Sequence, residues 1–111
     1  MKKKRNYYFQ RQLLERIRKA VDLPRLIAIY TTLHGEKWAI CPFHEETHAS
    51  LSINPEKKLW HCFSCGRGGD PFAFIMQKKG IGFSASVGFL SLFTGVKLPD
   101  EYIRRFEEEE Y

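Results

Sequence analysis

The window of residues 41–65, "CPFHEETHASLSINPEKKLWHCFSC", holds all three cysteines of a 111-residue chain. Cys41-Pro-Phe-His44 and Cys62-Phe-Ser-Cys65 each set two metal-binding side chains two residues apart. That spacing lets a tight turn aim both donors at one ion while backbone N–H groups point at the sulfurs. Seventeen residues separate His44 from Cys62, enough for two strands and a turn to bring the pairs together. Three thiolates and an imidazole form a usual tetrahedral set for structural zinc. Four donors close the shell, whereas catalytic zinc generally keeps three protein ligands and an open water position. Zinc binding by such segments is worth roughly 10–16 kcal/mol at neutral pH, against about 5–15 kcal/mol for the whole stability of a domain. The metal replaces a core that so short a segment cannot build.

A Cys-x-x-Cys pair alone also suits redox-active thiols. No strand–helix–strand pattern surrounds Cys62 and Cys65, and the Cys-x-x-His pair lies one hairpin away. His48, four residues past His44, stays a rival for the fourth position. His61 precedes Cys62 on an alternating strand, so it faces the other way. His34 lies outside the pairs and reads as a loop residue.

Three cysteines cannot all pair within one chain, which argues against a secreted disulfide scaffold. The start "MKKKRNYYF" lacks the apolar stretch of a secretory signal, and no run of 18 apolar residues offers a membrane span. The expected location is the reducing cytoplasm, with no membrane partner. A hydrophobic fraction of 43% with nine phenylalanines marks a folded chain. The net charge is +5, with basic residues crowding positions 2–5, 11–19 and 57–58 and four glutamates at 107–110. This balance suits an anionic polymer as partner. The terminal glutamates read as a solvated tail rather than Mg²⁺ ligands.

Residues 9–21 read as an amphipathic helix, with Phe9, Leu13, Leu14, Ile17 and Val21 on one stripe. Arg11–Glu15 and Glu15–Lys19 are opposite-charge pairs four residues apart. Asp22 caps a second helix with Pro24 in its first turn and Leu23, Leu26, Ile27 and Tyr30 on its apolar face; His34-Gly35 ends the segment. The period then becomes two. Trp38 and Ile40 alternate ahead of Cys41, Leu51 and Ile53 alternate with serines, and Leu59, His61 and Phe63 alternate with Trp60 and Cys62 after the turn "NPEKK". After "GRGGD", Asp70 caps a helix begun by Pro71 and closed by Lys78, Lys79 and Gly80. Ser84 is expected to cap a further helix carrying Val87, Leu90 and Phe93 to Gly95. Pro99-Asp100 opens a last short helix with Ile103 and Phe106. The fold class is α+β: a small antiparallel sheet with flanking helices.

"CPFH", "KKLWHCFSCG" and "GGDPFAFIM" together resemble the N-terminal zinc-binding domain of bacterial and phage DNA primases of the DnaG type. Upstream, "VDLPRLIAIY" is similar to that domain's opening helix, and "GFSASVGFL" to its closing one. The resemblance covers roughly residues 20–95. It implies a zinc ribbon with Cys41, His44, Cys62 and Cys65 as ligands of one structural Zn²⁺. It further implies a role in holding single-stranded DNA template where RNA primer synthesis begins. Residues 1–19 then form a basic helical extension and residues 96–111 an acidic helix or tail. The family's Thr-Pro-Ser-Phe run is here His48-Ala49-Ser50-Leu51, and an acidic position of the closing helix is replaced near Ala85. The family's polymerase domain, with its metal-binding carboxylates, has no counterpart among these residues. The expected chain is therefore a non-catalytic module, working with a primase polymerase domain in trans and with replication proteins such as the helicase. A zinc-ribbon adaptor for a protein partner is the alternative.

Single strands are held by aromatic platforms beside cations that track the phosphates. Lys58, Trp60, His61, Phe63 and Arg67 put both types on one hairpin and its knuckle. Period two sets Trp60 on the face opposite His61 and Phe63, so these cannot all touch one ligand. Phe72, Phe74, Ile75 and Met76 read as helix core.

Overall fold

The computed structural model describes residues 2–100, with side chains from residue 11 onward. Helix α1 spans Lys2–Ala20 and α2 spans Leu23–Ala28. Strands β1 (Trp38–Ala39), β2 (Leu51–Asn54), β3 (Leu59–Cys62) and β4 (Gly68–Gly69) follow, then α3 (Pro71–Lys79) and α4 (Phe83–Thr94). The strands form one antiparallel sheet in the order β1-β2-β3-β4, giving the expected α+β class. No described helix is long and apolar enough to cross a membrane.

Local chemistry sets the element ends. The Asp22 carboxylate accepts the Arg25 N–H and the Asp70 carboxylate accepts the Ala73 N–H, each satisfying an N–H that the first helical turn leaves orphaned. Gly80 and Gly95 close α3 and α4. Helix α4 starts differently from expectation: Gly82 is the N-cap, and Ser84 lies inside the helix. Glu15 also departs from expectation, pairing with Arg18 at 2.7 Å rather than with Arg11 or Lys19. Phe9, Ile103, Phe106 and the glutamates at 107–110 lie outside the described side chains.

One face of the sheet carries Ala39, Leu51, Ile53, Trp60 and Cys62, all buried. Against it pack Leu13 and Ile17 of α1, Leu23, Leu26 and Ile27 of α2, Phe72, Phe74 and Ile75 of α3, and Val87 and Leu90 of α4. Both helical stripes anticipated before the sheet therefore point into one core. The opposite sheet face is open.

Strand β4 was not anticipated. Its two glycines carry no side-chain periodicity, yet they pair with Trp60 and His61 of β3. A Cβ at Gly68 would lie 2.9 Å from the Trp60 carbonyl oxygen and 3.0 Å from His61 Nδ1, so only glycine lets this edge close on β3 without displacement.

Candidate metal centre and nucleic-acid interface

The first knuckle hangs between β1 and β2, the second between β3 and β4, and pairing of β2 with β3 brings the two together. Leu51 lies opposite Cys62, which places the start of β2 beside the second knuckle. The ligand atoms of Cys41, His44, Cys62 and Cys65 all lie within 4.8 Å of one another. Cys41 Sγ and Cys65 Sγ are 3.9 Å apart, and Cys62 Sγ and His44 Nε2 are 3.7 Å apart. Zinc bonds of about 2.3 Å to sulfur and about 2.0–2.1 Å to nitrogen put tetrahedral neighbours roughly 3.6–3.8 Å apart. The donor set fits that ion in number, chemistry and spacing. His48, the rival fourth donor, is not in this group; its Nδ1 sits 3.2 Å from the Thr47 hydroxyl.

The surroundings act differently on three of the donors. His44 Nδ1 lies 3.1 Å from the Glu45 carbonyl oxygen, which accepts its proton and leaves the Nε2 lone pair for a metal. Burial pushes the Cys41 thiol up to about 12, against the lowering effect of the Phe43 backbone N–H. At Cys62 burial also raises the thiol, but bonds from His44, Ser50 and the N–H groups of Cys65 and Ser64 outweigh it and bring it down to about 6. Gly66, at φ 79°, takes the left-handed conformation that turns the second knuckle back and lets its N–H reach the Cys62 carbonyl at 2.9 Å.

Glu46 ties the two knuckles to each other. Its carboxylate accepts the Ser64 hydroxyl at 2.8 Å and the Ser50 hydroxyl at 3.2 Å, while the Thr47 and His48 N–H groups also point at it. The Ser64 bond and then the His48 N–H are the main causes that hold this carboxyl down to about 2. Ser50 in turn contacts Cys62 Sγ at 3.5 Å. The sequence offered no sign of this role, because four bonds to one carboxylate depend on the loop's path. From the other side, Lys78 donates to the Pro42 carbonyl at 2.9 Å, fastening α3 to the first knuckle.

The five residues expected to contact nucleic acid do not share one surface. His61 and Phe63 are exposed on the open sheet face, their rings edge-to-face at 4.8 Å. Trp60 is a correction: it is only 2% exposed, and its Nε1 donates to the Asp70 carbonyl at 2.8 Å. Such a ring is a core residue, not a stacking platform. Arg67 lies opposite Cys62 and holds its guanidinium 5.2 Å from the Phe43 ring centroid, at the rim of the metal centre. Lys58 has φ 59° and donates to the Val21 carbonyl at 2.6 Å, while Arg18 reaches the Lys57 carbonyl at 3.2 Å. The hairpin turn is thereby pinned to the end of α1, and the Lys58 ammonium points away from the open face.

A family profile described as the CHC2 zinc finger of the DnaG zinc ribbon matches residues 9–105. The chain is 38% identical over 98 residues to a DNA primase of Halalkalibacterium halodurans, covering 86% of the chain and 16% of that protein. It is 34% identical over 111 residues to a DNA primase of Thermotoga maritima, covering 88% of the chain and 20% of that protein. The crystal structure of the zinc-binding and RNA polymerase domains of the Aquifex aeolicus primase superposes with a TM-score of 0.66 at 30% identity, over 78% of this chain and 22% of that one. The chain thus spans a fifth or less of the curated relatives it matches. With its four converging donors and antiparallel ribbon, it belongs to the CHC2 zinc-finger family of DNA primases.

Proposed function

We propose that Cys41, His44, Cys62 and Cys65 hold one structural Zn²⁺ and that the ribbon so fixed binds single-stranded DNA template for RNA primer synthesis. The module grips template and leaves catalysis to a primase polymerase domain. Its place of work is the cytoplasm, among replication proteins such as the helicase. Residues 20–95 are the zinc-binding unit and residues 96–111 an acidic helix or tail; residues 1–19 are a basic helical extension whose Leu13 and Ile17 reach into the same core. The observation that carries the reading is the open sheet face beside the metal centre, where Trp38 of β1, His61 of β3 and Phe63 just past β3 are exposed. Arg67 and the positive net charge of +5 add attraction for phosphates.

Trans-complementation tests this reading. A primase polymerase domain lacking its own zinc-binding domain is given single-stranded template and ribonucleotides. Primer yield rises when this protein is added and falls back with Cys62→Ala. No rise at concentrations that saturate any DNA binding would favour an adaptor for a protein partner, for which Ile29 (54% exposed) and Leu92 (87% exposed) offer apolar contacts.

Glu46 supplies a separate check on the metal centre. Groups that orient ligands typically contribute 10- to 100-fold in metal affinity. Glu46→Gln is expected to release zinc to a colorimetric chelator about 10-fold faster, with far-UV circular dichroism unchanged. Release at the wild-type rate would show that the four bonds merely decorate the loop.

A further inference from the structure

The open sheet face has a row that runs across all four strands. Trp38 of β1 lies opposite Ser52 of β2, Ser52 lies opposite His61 of β3, and His61 lies opposite Gly68 of β4. Trp38 is 42% exposed and Phe63 is 69% exposed, with ring centroids 6.1 Å apart and planes tilted by 38°. Phe63 also meets the His61 ring. The core has its own aromatic group in Phe43, Trp60 and Phe74, so packing does not explain why these rings stand in water.

Beside the row lies an open groove of about 650 Å³, whose lining includes Ser52, Asn54, Leu59, His61, Gly68 and Gly69. The residues of the row and groove include no aspartate or glutamate. Arg67, at the rim of the metal centre, and the net charge of +5 supply the positive charge. Exposed aromatic faces in a row and groove without carboxylates, on a chain of positive net charge, fit a base-bearing polyanion better than a protein surface.

We propose that Trp38 is a base-stacking residue of the template interface, with Phe63 as its neighbouring platform, so that adjacent bases of a single strand lie across β1 and β3. This rests on the template-binding reading above and assigns the contact to a residue outside the cysteine-bearing hairpin. The polar row at Ser52 and the groove beyond it then face the edge of the next base.

The chain has two tryptophans, and the second, Trp60, is buried and hydrogen-bonded. Tryptophan emission therefore reports largely on Trp38 against an internal reference. The zinc-loaded full chain is titrated at low salt with a short single-stranded thymidine oligonucleotide. Binding is followed both by emission and by anisotropy of a labelled copy. The expected result is quenching of the exposed tryptophan on binding, a loss of about 5- to 150-fold in affinity for Trp38→Ala, and near-wild-type affinity for Trp38→Phe. Retained zinc in both variants checks that the fold is intact. Oligonucleotide binding by the wild type with no quenching, and with Trp38→Ala binding equally well, would overturn this assignment alone. No binding by the wild type in either readout would overturn the template-binding reading and this assignment with it.

Discussion

Removal of the metal is expected to abolish the native fold rather than weaken it. A strong chelator at neutral pH should eliminate the near-UV circular dichroism and the cooperative thermal transition, and adding zinc back should restore both. The knuckles contribute little apolar surface of their own: Cys65 is exposed, and Phe43 is the one ring that reaches from them into the core. Losing roughly 10–16 kcal/mol of metal binding is comparable to the about 5–15 kcal/mol that a whole domain has to lose. The helices can stay collapsed on one another, so far-UV signal should fall less than near-UV signal. Acid should act in the same direction. The metal binds thiolates, and a group whose folded-state pKa is depressed gives stability that is lost as pH falls through that value. Each thiolate that leaves zinc takes up a proton, so zinc release should become progressively easier as pH falls. A metal-free chain that still melts cooperatively within a few degrees of the zinc form would refute a structural role for the ion.

The parts of this fold that were legible in the sequence are those in which neighbours along the chain decide the structure. The caps at Asp22 and Asp70, the closing Gly80, and the alternation of Leu51, Ile53, Trp60 and Cys62 follow from local hydrogen bonding and from the strand period. The four donors were legible because a knuckle is a local device repeated twice. What escaped depends on register between strands. Trp38 passed as an ordinary strand residue, since only its pairing with Ser52, and of Ser52 with His61, places it beside the exposed rings. The small side chain of Ala39 hid the fact that β1 turns its alanine inward and its tryptophan out. Lys58 and Trp60 carried the right chemistry for a nucleic-acid contact, but tertiary partners at Val21 and Asp70 claim them. A glycine pair has no pattern to reveal, so β4 became visible only as the partner of β3.

Phe74→Ala is expected to be the most damaging single change outside the metal ligands. Its ring is wholly buried and meets three others: Trp60 edge-on at 5.4 Å, Phe43 edge-on at 5.4 Å, and Tyr30 at 6.0 Å. Phe43 belongs to the first knuckle, Trp60 to β3 and Tyr30 to the segment after α2, so this one side chain of α3 joins the metal centre, the sheet and the helices. Phe→Ala in a packed core costs about 3–5 kcal/mol, and each aromatic pair adds about 0.5–1.5 kcal/mol beyond its buried area. The lower figure already corresponds to a fall of roughly 12 °C in Tm for a domain of this size. Leu92→Ala is the control: at 87% exposure the same kind of truncation should change stability by less than about 0.5 kcal/mol. Thermal melts of zinc-loaded protein separate the two. Phe43 would also lose one of its two ring partners, so Phe74→Ala should speed zinc release even below its melting temperature. If Phe74→Ala melts like Leu92→Ala, the ring junction does not couple the metal centre to the helical core, and the knuckles are held by zinc and strand pairing alone.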